Sequence, residues 1–520
     1  MQTRTKSTLK NLVFGYTEEI MIVILSFITR RIFVHELGEQ YTGLNSVISN
    51  ILSMLNLVEL GFGSAIIYSL YKPLAQKDEA HIKALMGFYR STYRIFGIVI
   101  SLIGLCLMPM LPFLFKDDIS FVNIYFVFAL HLLQTVSTYL FFAYKRSILE
   151  ADQKAYLISQ IRTVFMALVY FLQIASLVIM KDYYVYLLIT IGGTILQNIV
   201  IAFFSNREYP FIQGKAPKLD LRERGEIKAN CKALFIYRIN SYVLNSTDSL
   251  ILANFVGLNL IGFYGHYLTL VNAMKSIVNK LFTSMVGSLG NLHAEAQLSD
   301  KGKGQFDREE RVFSIINLIS FAAYGLFSIG IFAASSDFID IWIGPGQTLS
   351  QSAVFLIAFE CYIYGLTKPT ASFRASMGLF QQCKYRPIAS MILNLIISLA
   401  TVHWWGIEGV LLGTVVSIAL TTVWYDPVII YRDGFGRSAK PYFCKILRFT
   451  VVECMSMAVC ALFQYFIKLE GFAAFIINGF FAVAVFATFF VIMLHTLPEF
   501  LELLEVVKFI IFDSRRRLQK

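Results

Sequence analysis

Charge is scarce in this sequence: Asp, Glu, Lys and Arg make up 15% of its 520 residues, against about 25% in a soluble domain. A chain that is 57% hydrophobic with so few charges cannot cover itself with a water-loving surface. No CxxC pair occurs among the seven cysteines (Cys106, Cys231, Cys361, Cys383, Cys444, Cys454, Cys460), so neither a disulfide framework nor a metal centre is expected. No Walker motif or other nucleotide loop is present, which argues against ATP-driven transport by this chain alone. No small-residue cleavage site follows the first apolar run and a second run comes at once, so the first helix is expected to be retained. The net charge of +11 is not gathered into a basic domain; Lys and Arg lie in short segments between apolar runs, which excludes a nucleic-acid binder.

What is abundant is apolar sequence of membrane-crossing length. A run of about 20 apolar residues crosses a hydrocarbon core about 30 Å thick. Runs such as 473–494 are continuously apolar rather than alternating, which rules out a transmembrane β-barrel. Fourteen spans are expected, at about 11–34, 42–70, 92–115, 121–144, 156–180, 184–205, 233–256, 260–289, 312–335, 351–379, 387–404, 407–431, 449–467 and 472–495. The expected fold class is therefore an all-α integral membrane protein.

Lys and Arg in short loops are retained in the cytoplasm. Alternate loops hold Lys72, Lys77 and Lys83; Lys145, Arg146 and Lys154; a long run from Arg207 to Lys232; Lys301 to Arg311; Lys384 and Arg386; and Arg432, Arg437 and Lys440. The opposite loops offer little beyond Lys116, Lys181 and Lys468 and are acidic, with Asp117, Asp118, Asp182, Asp337, Asp340, Glu408 and Glu470. Both termini are thus expected in the cytoplasm. The turn Gly38-x4-Gly43 after the first span recurs as Gly257-x4-Gly262 after the seventh. Two six-helix lobes in parallel repeat follow, with a substrate site expected between them. The expected organisation is an N-terminal lobe (1–206), a cytoplasmic linker (207–232), a C-terminal lobe (233–440), two additional spans (441–496) and a cytoplasmic amphipathic tail (497–520) whose Arg515, Arg516 and Arg517 meet anionic headgroups.

Several strings resemble the polysaccharide-exporter (Wzx-like) flippases of the superfamily that also holds the multidrug MATE exporters and the lipid II flippase. They are Leu37-Gly-Glu-Gln-Tyr-Thr-Gly-Leu-Asn45, Ile51-Leu-Ser-Met-Leu-Asn-Leu-Val-Glu-Leu-Gly-Phe-Gly-Ser-Ala-Ile66, Tyr68-Ser-Leu-Tyr-Lys-Pro-Leu74, Thr247-Asp248, Gly290-Asn291, Trp405-Gly-Ile-Glu-Gly-Val-Leu-Leu-Gly-Thr414 and Asp426-Pro427. The resemblance covers most of residues 8–435 and implies a MATE-like two-lobed fold, alternating access and an undecaprenyl-pyrophosphate-linked oligosaccharide as cargo. It also implies a bacterial inner-membrane location, with membrane lipids and the polysaccharide polymerase machinery as partners, no enzymatic activity, and no cofactor beyond a coupling H+ or Na+. Many relatives are expected with twelve spans, so the last two here depart from the pattern.

Charges within the spans are expensive, at about 2.5–3.5 kcal/mol each at the bilayer centre on insertion scales, so most must face a wet interior or one another. Arg30, Arg162, Arg238, Lys275, Lys280, Lys368 and Arg374 are the expected binders of a pyrophosphate. For Arg30, Arg162 and Arg374 the alternative is an interfacial position with the stem reaching for headgroups. Glu19, eleven residues before Arg30, can share its helix face. Asp248 and Glu360 are expected either to orient these cations as ion-pair partners or to carry the coupling ion. Lys368 precedes Pro369, whose ring frees a backbone carbonyl that protein or water must satisfy. Glu59 is expected to pack or gate beside glycines, and His131 to be a hydrogen-bonded interior histidine. A MATE-like drug or cation antiporter shares the fold but calls for an acidic, apolar cavity, which the surplus of basic residues disfavours. A membrane-embedded sugar polymerase needs a larger outer loop than 336–350.

Overall fold

The computed structural model describes residues 2–56, 62–116, 119–225, 227, 231, 247–298, 304–379, 382–383 and 385–505. They form helices without a strand. In chain order these are α1 (Gln2–Leu37), α2 (Glu39–Leu55), α3 (Phe62–Gln76), α4 (Glu79–Leu107), α5 (Ile124–Leu140), α6 (Arg146–Ala151), α7 (Ala155–Ile179), α8 (Tyr183–Glu208) and α9 (247–255). They continue with α10 (Leu258–Leu298), α11 (Gly304–Trp342), α12 (Gln351–Ser376), α13 (Arg386–Trp405), α14 (Ile407–Ile429), α15 (Lys440–Phe466) and α16 (Gly471–Leu494).

Eight of these, α4, α7, α8, α11, α13, α14, α15 and α16, are long and apolar enough to cross a membrane, and α5 with α6 qualifies as one span bent by 43°. Helices α1, α10 and α12 are absent from that set, and they carry most of the charges singled out above, Glu19 and Arg30, Lys275 and Lys280, and Glu360, Lys368 and Arg374, whereas Arg162 lies on α7, which is in the set. The expected span at 42–70 falls on two helices, α2 and α3, with 57–61 and hence Glu59 outside the described residues. Polar side chains start several helices by accepting from otherwise unpaired backbone N–H groups: Asp78 from His81, Asn123 from Phe126, Asp182 from Tyr184 and Val185, and Ser350 from Ala353.

The chain divides into two compact units, 1–265 and 266–520. In the first, α1 lies along α7, α7 along α8, and α5 against α8 and α4. Small residues set two of these contacts, α7 with α8 and α4 with α5, as they do where lipid supplies no hydrophobic drive between helices. A Cβ on Gly193 would collide with Val169, and Gly97 makes room for Leu140 at 2.8 Å. Away from the helix packing, Lys154 bonds Asp152 at 2.9 Å and Glu208 at 2.5 Å, and Tyr209 donates to Asp152 at 2.6 Å, which ties the start of α7 to the end of α8. Burial works against the Lys154 ammonium, but its hydrogen bonds to Asp152, Glu208 and Tyr209 outweigh that and hold its pKa above the ordinary value.

The first unit runs beyond the expected linker because α9 and the first turns of α10 pack on α2. Gly38 and Gly257 have φ of 95° and 113°, the left-handed region open to glycine, and each ends a helix and starts the next. The second glycines of the two turns then meet reciprocally. A Cβ on Gly43 would overlap the backbone of Leu258, and one on Gly262 would lie 2.9 Å from the Glu39 carbonyl oxygen.

In the second unit α13 pairs with α14, α12 packs on α11 and α14, and the additional helices α15 and α16 lie on α11. Helix α12 continues through Pro369. The carbonyl that the proline ring releases belongs to Gly365, and Ser320 of α11 donates to it at 2.7 Å. The first turns of the tail dock on this unit through Glu499 with Lys445 at 2.7 Å and Glu502 with Arg311 at 3.3 Å, while 506–520 lie outside the described residues.

Candidate functional site

The first unit holds a half-open chamber of about 900 Å³ lined by its own helices. Its walls are mixed, with polar residues recurring at helical spacing among apolar ones. On α8 the polar stripe is Tyr186, Thr190, Thr194 and Gln197, and on α7 the polar Arg162 and Gln173 lie at the two ends of a lining face that includes the apolar Met166 and Val169. Steps of three and four residues keep one face of a helix turned the same way. Helix α5 adds His131, Gln134 and Thr138, α2 adds Asn45 and Ser49, and α4 adds Tyr89 and Tyr93.

These groups are largely neutral and hydrogen-bonded to one another. Gln173 donates to Thr190 at 2.7 Å, Tyr139 to Asn56 at 2.9 Å, and Tyr89 to Tyr93 at 3.0 Å. Tyr183 lies 3.2 Å from His131 Nε2 and donates to Asn45 at 3.3 Å. His131 is thus buried and bonded within the wall, as the sequence indicates. The charged lining residues are Arg146, Glu150 and Arg162, and each arginine has a carboxylate partner. Arg146 and Glu150 pair at 2.5 Å one turn apart on α6, and Arg162 pairs with Glu18 of α1 at 3.2 Å. Arg162 keeps two-fifths of its side-chain surface accessible while Glu18 is nearly covered, so the guanidinium is the part of this pair presented to the chamber.

A second basic cluster lies in the other unit. The Tyr364 ring has the Lys275 Nζ 4.4 Å from its centroid and the Lys368 Nζ 4.0 Å from it, and Lys275 also pairs with Glu360 at 3.2 Å. Asn279 donates to the Tyr364 hydroxyl at 2.9 Å and accepts from Tyr324 at 3.2 Å. Two ammonium groups against one ring and one carboxylate leave an excess of one positive charge.

The remaining residues expected at the site are dispersed. Arg30 donates to the Gly262 carbonyl at 3.3 Å, and its guanidinium occupies the space that a side chain at Gly265 would need. Glu19 is half-buried on α1, and the carboxylate against Arg162 is its neighbour Glu18, because one residue turns the helix by about 100°. Lys280 is half-buried about 140° further round α10 than Lys275. Asp248 is buried in α9. Arg374 is enclosed with Asp426 at 2.9 Å, and Arg386 reaches the same carboxylate oxygen at 2.5 Å. Arg238 lies outside the described residues.

The neutral wall of the chamber carries no charge to mark it in the sequence. The signal that finds it is Thr, Gln and Asn recurring at three- and four-residue steps inside apolar spans, clearest in Thr190, Thr194 and Gln197.

No protein-family model and no curated protein matches the sequence. Solved structures do. The chain is similar to the lipid II flippase MurJ in an inward closed conformation, with TM-score 0.64 and 15% identity over 94% of this chain and 99% of that one. It is also similar to a multidrug resistance MATE family transporter of the MOP superfamily in an inward-facing conformation, with TM-score 0.58 and 12% identity over 79% of this chain and 96% of that one. The Vibrio cholerae MATE transporter VcmN, in a mutant form, matches with TM-score 0.51 and 14% identity over 84% and 99%. At these identities the likeness concerns the fold. The chain is a multi-pass, all-helical membrane protein with the fold shared by the MurJ flippase and the MATE transporters.

Proposed function

We propose that this chain is a Wzx-like flippase that carries an undecaprenyl-pyrophosphate-linked oligosaccharide across a bacterial cytoplasmic membrane by alternating access. Its termini lie in the cytoplasm, and an H+ or Na+ gradient drives it. The observation that carries this reading is the chamber of the first unit. Amide, hydroxyl and tyrosine groups offer both donors and acceptors, which suits a cargo covered in hydroxyls. Arg162 and Arg146 add the donors that suit a pyrophosphate, since the guanidinium fork binds phosphate oxygens in pairs. A drug antiporter for cationic cargo would gain from exposed carboxylates, whereas the more accessible partner of each ion pair here is the arginine. The Lys275 and Lys368 cluster is a second anion-attracting feature, in the other unit.

The test is deletion of the gene in its own host, followed by analysis of lipid-linked repeat units. Units trapped on the inner leaflet with surface polysaccharide lost is the expected outcome, and Arg162→Gln should restore export poorly while inserting normally. Normal surface polysaccharide after deletion, with no redundant transporter present, refutes the proposal.

A further inference from the structure

Helices α15 and α16 have no place in a repeat of two six-helix lobes, yet one of them carries the most completely buried unpartnered carboxyl among the described residues. Glu453, halfway along α15, has no exposed surface, and the hydroxyl proton close to it, that of Ser328, is given to the Ala358 carbonyl instead of to its oxygens. No Lys, Arg or His of the described residues pairs with it. Its surroundings come from every side. Helix α11 brings Ser328 and Gly325, where an added Cβ would lie 2.9 Å from the Glu453 Oε2. Helix α16 brings Phe486, which packs on that same glycine. Helix α12 contributes the titratable groups Cys361 and Tyr362, and α15 itself contributes Cys454 and Cys460. Tyr362 is engaged with Thr450 at 2.8 Å.

A carboxylate in such a place would have lost its water and gained no cation, and proteins avoid that by neutralising the group. The Ser328 hydroxyl beside it points the same way. Ser328 gives its proton to the Ala358 carbonyl at 2.5 Å and so keeps lone pairs with which to accept. An acid O–H can donate to those lone pairs, whereas an anion would be repelled by them. Polar groups also stand toward both ends of α15. Lys445 meets Glu499 and Ser314 about 12 Å before Glu453, and Gln464 donates to the Ala333 carbonyl at 2.6 Å about 16 Å beyond it. Asn478 of α16 donates to Asp337 of α11 at 2.7 Å.

We propose that Glu453 is a membrane-embedded proton-binding site, protonated in this conformation and released to water in another state of the transport cycle, which makes α15 and α16 the proton-responsive part of the second unit. This rests on the transport function proposed above. No covalent bond changes: one proton leaves the carboxyl oxygen for water and later returns.

The direct test is infrared difference spectroscopy of the full chain in lipid bilayers across a pH series, with no cargo present. The expected result is a protonated-carboxyl carbonyl band that disappears as pH rises, is lost in Glu453→Gln and persists at shifted frequency in Glu453→Asp. Identical bands in the wild type and Glu453→Gln overturn the proposal, as does a Glu453 band that titrates at no pH where the helical fold survives. Should Glu453→Gln not fold, the frequency shift in Glu453→Asp decides the assignment by itself. The two proposals fail separately. Wild-type export by Glu453→Gln in a host that needs the chain for surface polysaccharide overturns the proton site and leaves the flippase standing. A titrating Glu453 in a host whose polysaccharide survives deletion does the reverse.

Discussion

Removing the Asp426 side-chain charge should damage the second unit more than almost any other single polar change. Its carboxylate is shared by Arg374 of α12 and Arg386 of α13, at 2.9 and 2.5 Å, and both the Asp426 and Arg374 side chains are almost fully buried. At an effective dielectric of 20, a pair of unit charges near 4 Å gains about 4 kcal/mol, much of it cancelled by the loss of hydration when both are buried. Deleting one partner removes the gain and leaves the loss, which costs about 3–5 kcal/mol for a buried pair. For a unit of some 250 residues each kcal/mol moves the melting point by about 2–4 °C, so Asp426→Asn should melt about 6–20 °C below the wild type. The assay is thermal stability of the detergent-solubilised protein by fluorescence-detected size exclusion. Asp426→Asn with Arg374→Gln should recover part of the loss, because the more deeply buried orphan cation is gone as well. A single mutant within about 0.5 kcal/mol of wild type, as for an ordinary surface change, would refute the reasoning, as would a double mutant that melts no higher than the single.

The glycine contact between α2 and α10 yields a paired prediction. Gly43→Ala should destabilise by about 1–3 kcal/mol through overlap with Leu258, whereas Gly192→Ala in α8, with open space around it, should be neutral or stabilising by up to about 1 kcal/mol in the same melts. Tyr364→Leu should weaken the holding of both Lys275 and Lys368, by about 0.5–2 kcal/mol for each cation–π contact, and a double-mutant cycle of Tyr364→Leu with Lys368→Met measures the coupling. The Glu36 carboxyl is held below its ordinary pKa by hydrogen bonds from Lys181 and then His35. A depressed folded pKa contributes stability above the ordinary carboxylate range and loses it as pH falls through the folded value. Lys181→Met should therefore lower stability at neutral pH and flatten the acid side of the stability profile, and an unchanged profile would rule this out.

Much of the architecture was legible because partition into a membrane is a property of short stretches. Expected spans such as 156–180, 184–205 and 472–495 coincide with α7, α8 and α16, since each needs only its own apolar residues and its own backbone bonds. The positions of Gly38 and Gly257 were legible for the same reason: a tight turn between helices asks for a residue tolerant of positive φ. That Pro369 would release a carbonyl needing a partner could be foreseen, although nothing in the sequence named Ser320 as the partner.

Partnership across the bundle was what tertiary structure alone decided. Glu18 rather than Glu19 meets Arg162, Asp426 joins two arginines 52 and 40 residues away, and Thr190 bonds Gln173 from the next helix. Each choice depends on how neighbouring helices are rotated, which side-chain packing sets and no local periodicity encodes. The sequence by itself determined that the chain enters a membrane as many helices with charges it must shelter. Packing decided where the shelters are, because a buried charge takes its partner from whichever helix face the tight interlocking of side chains brings opposite it.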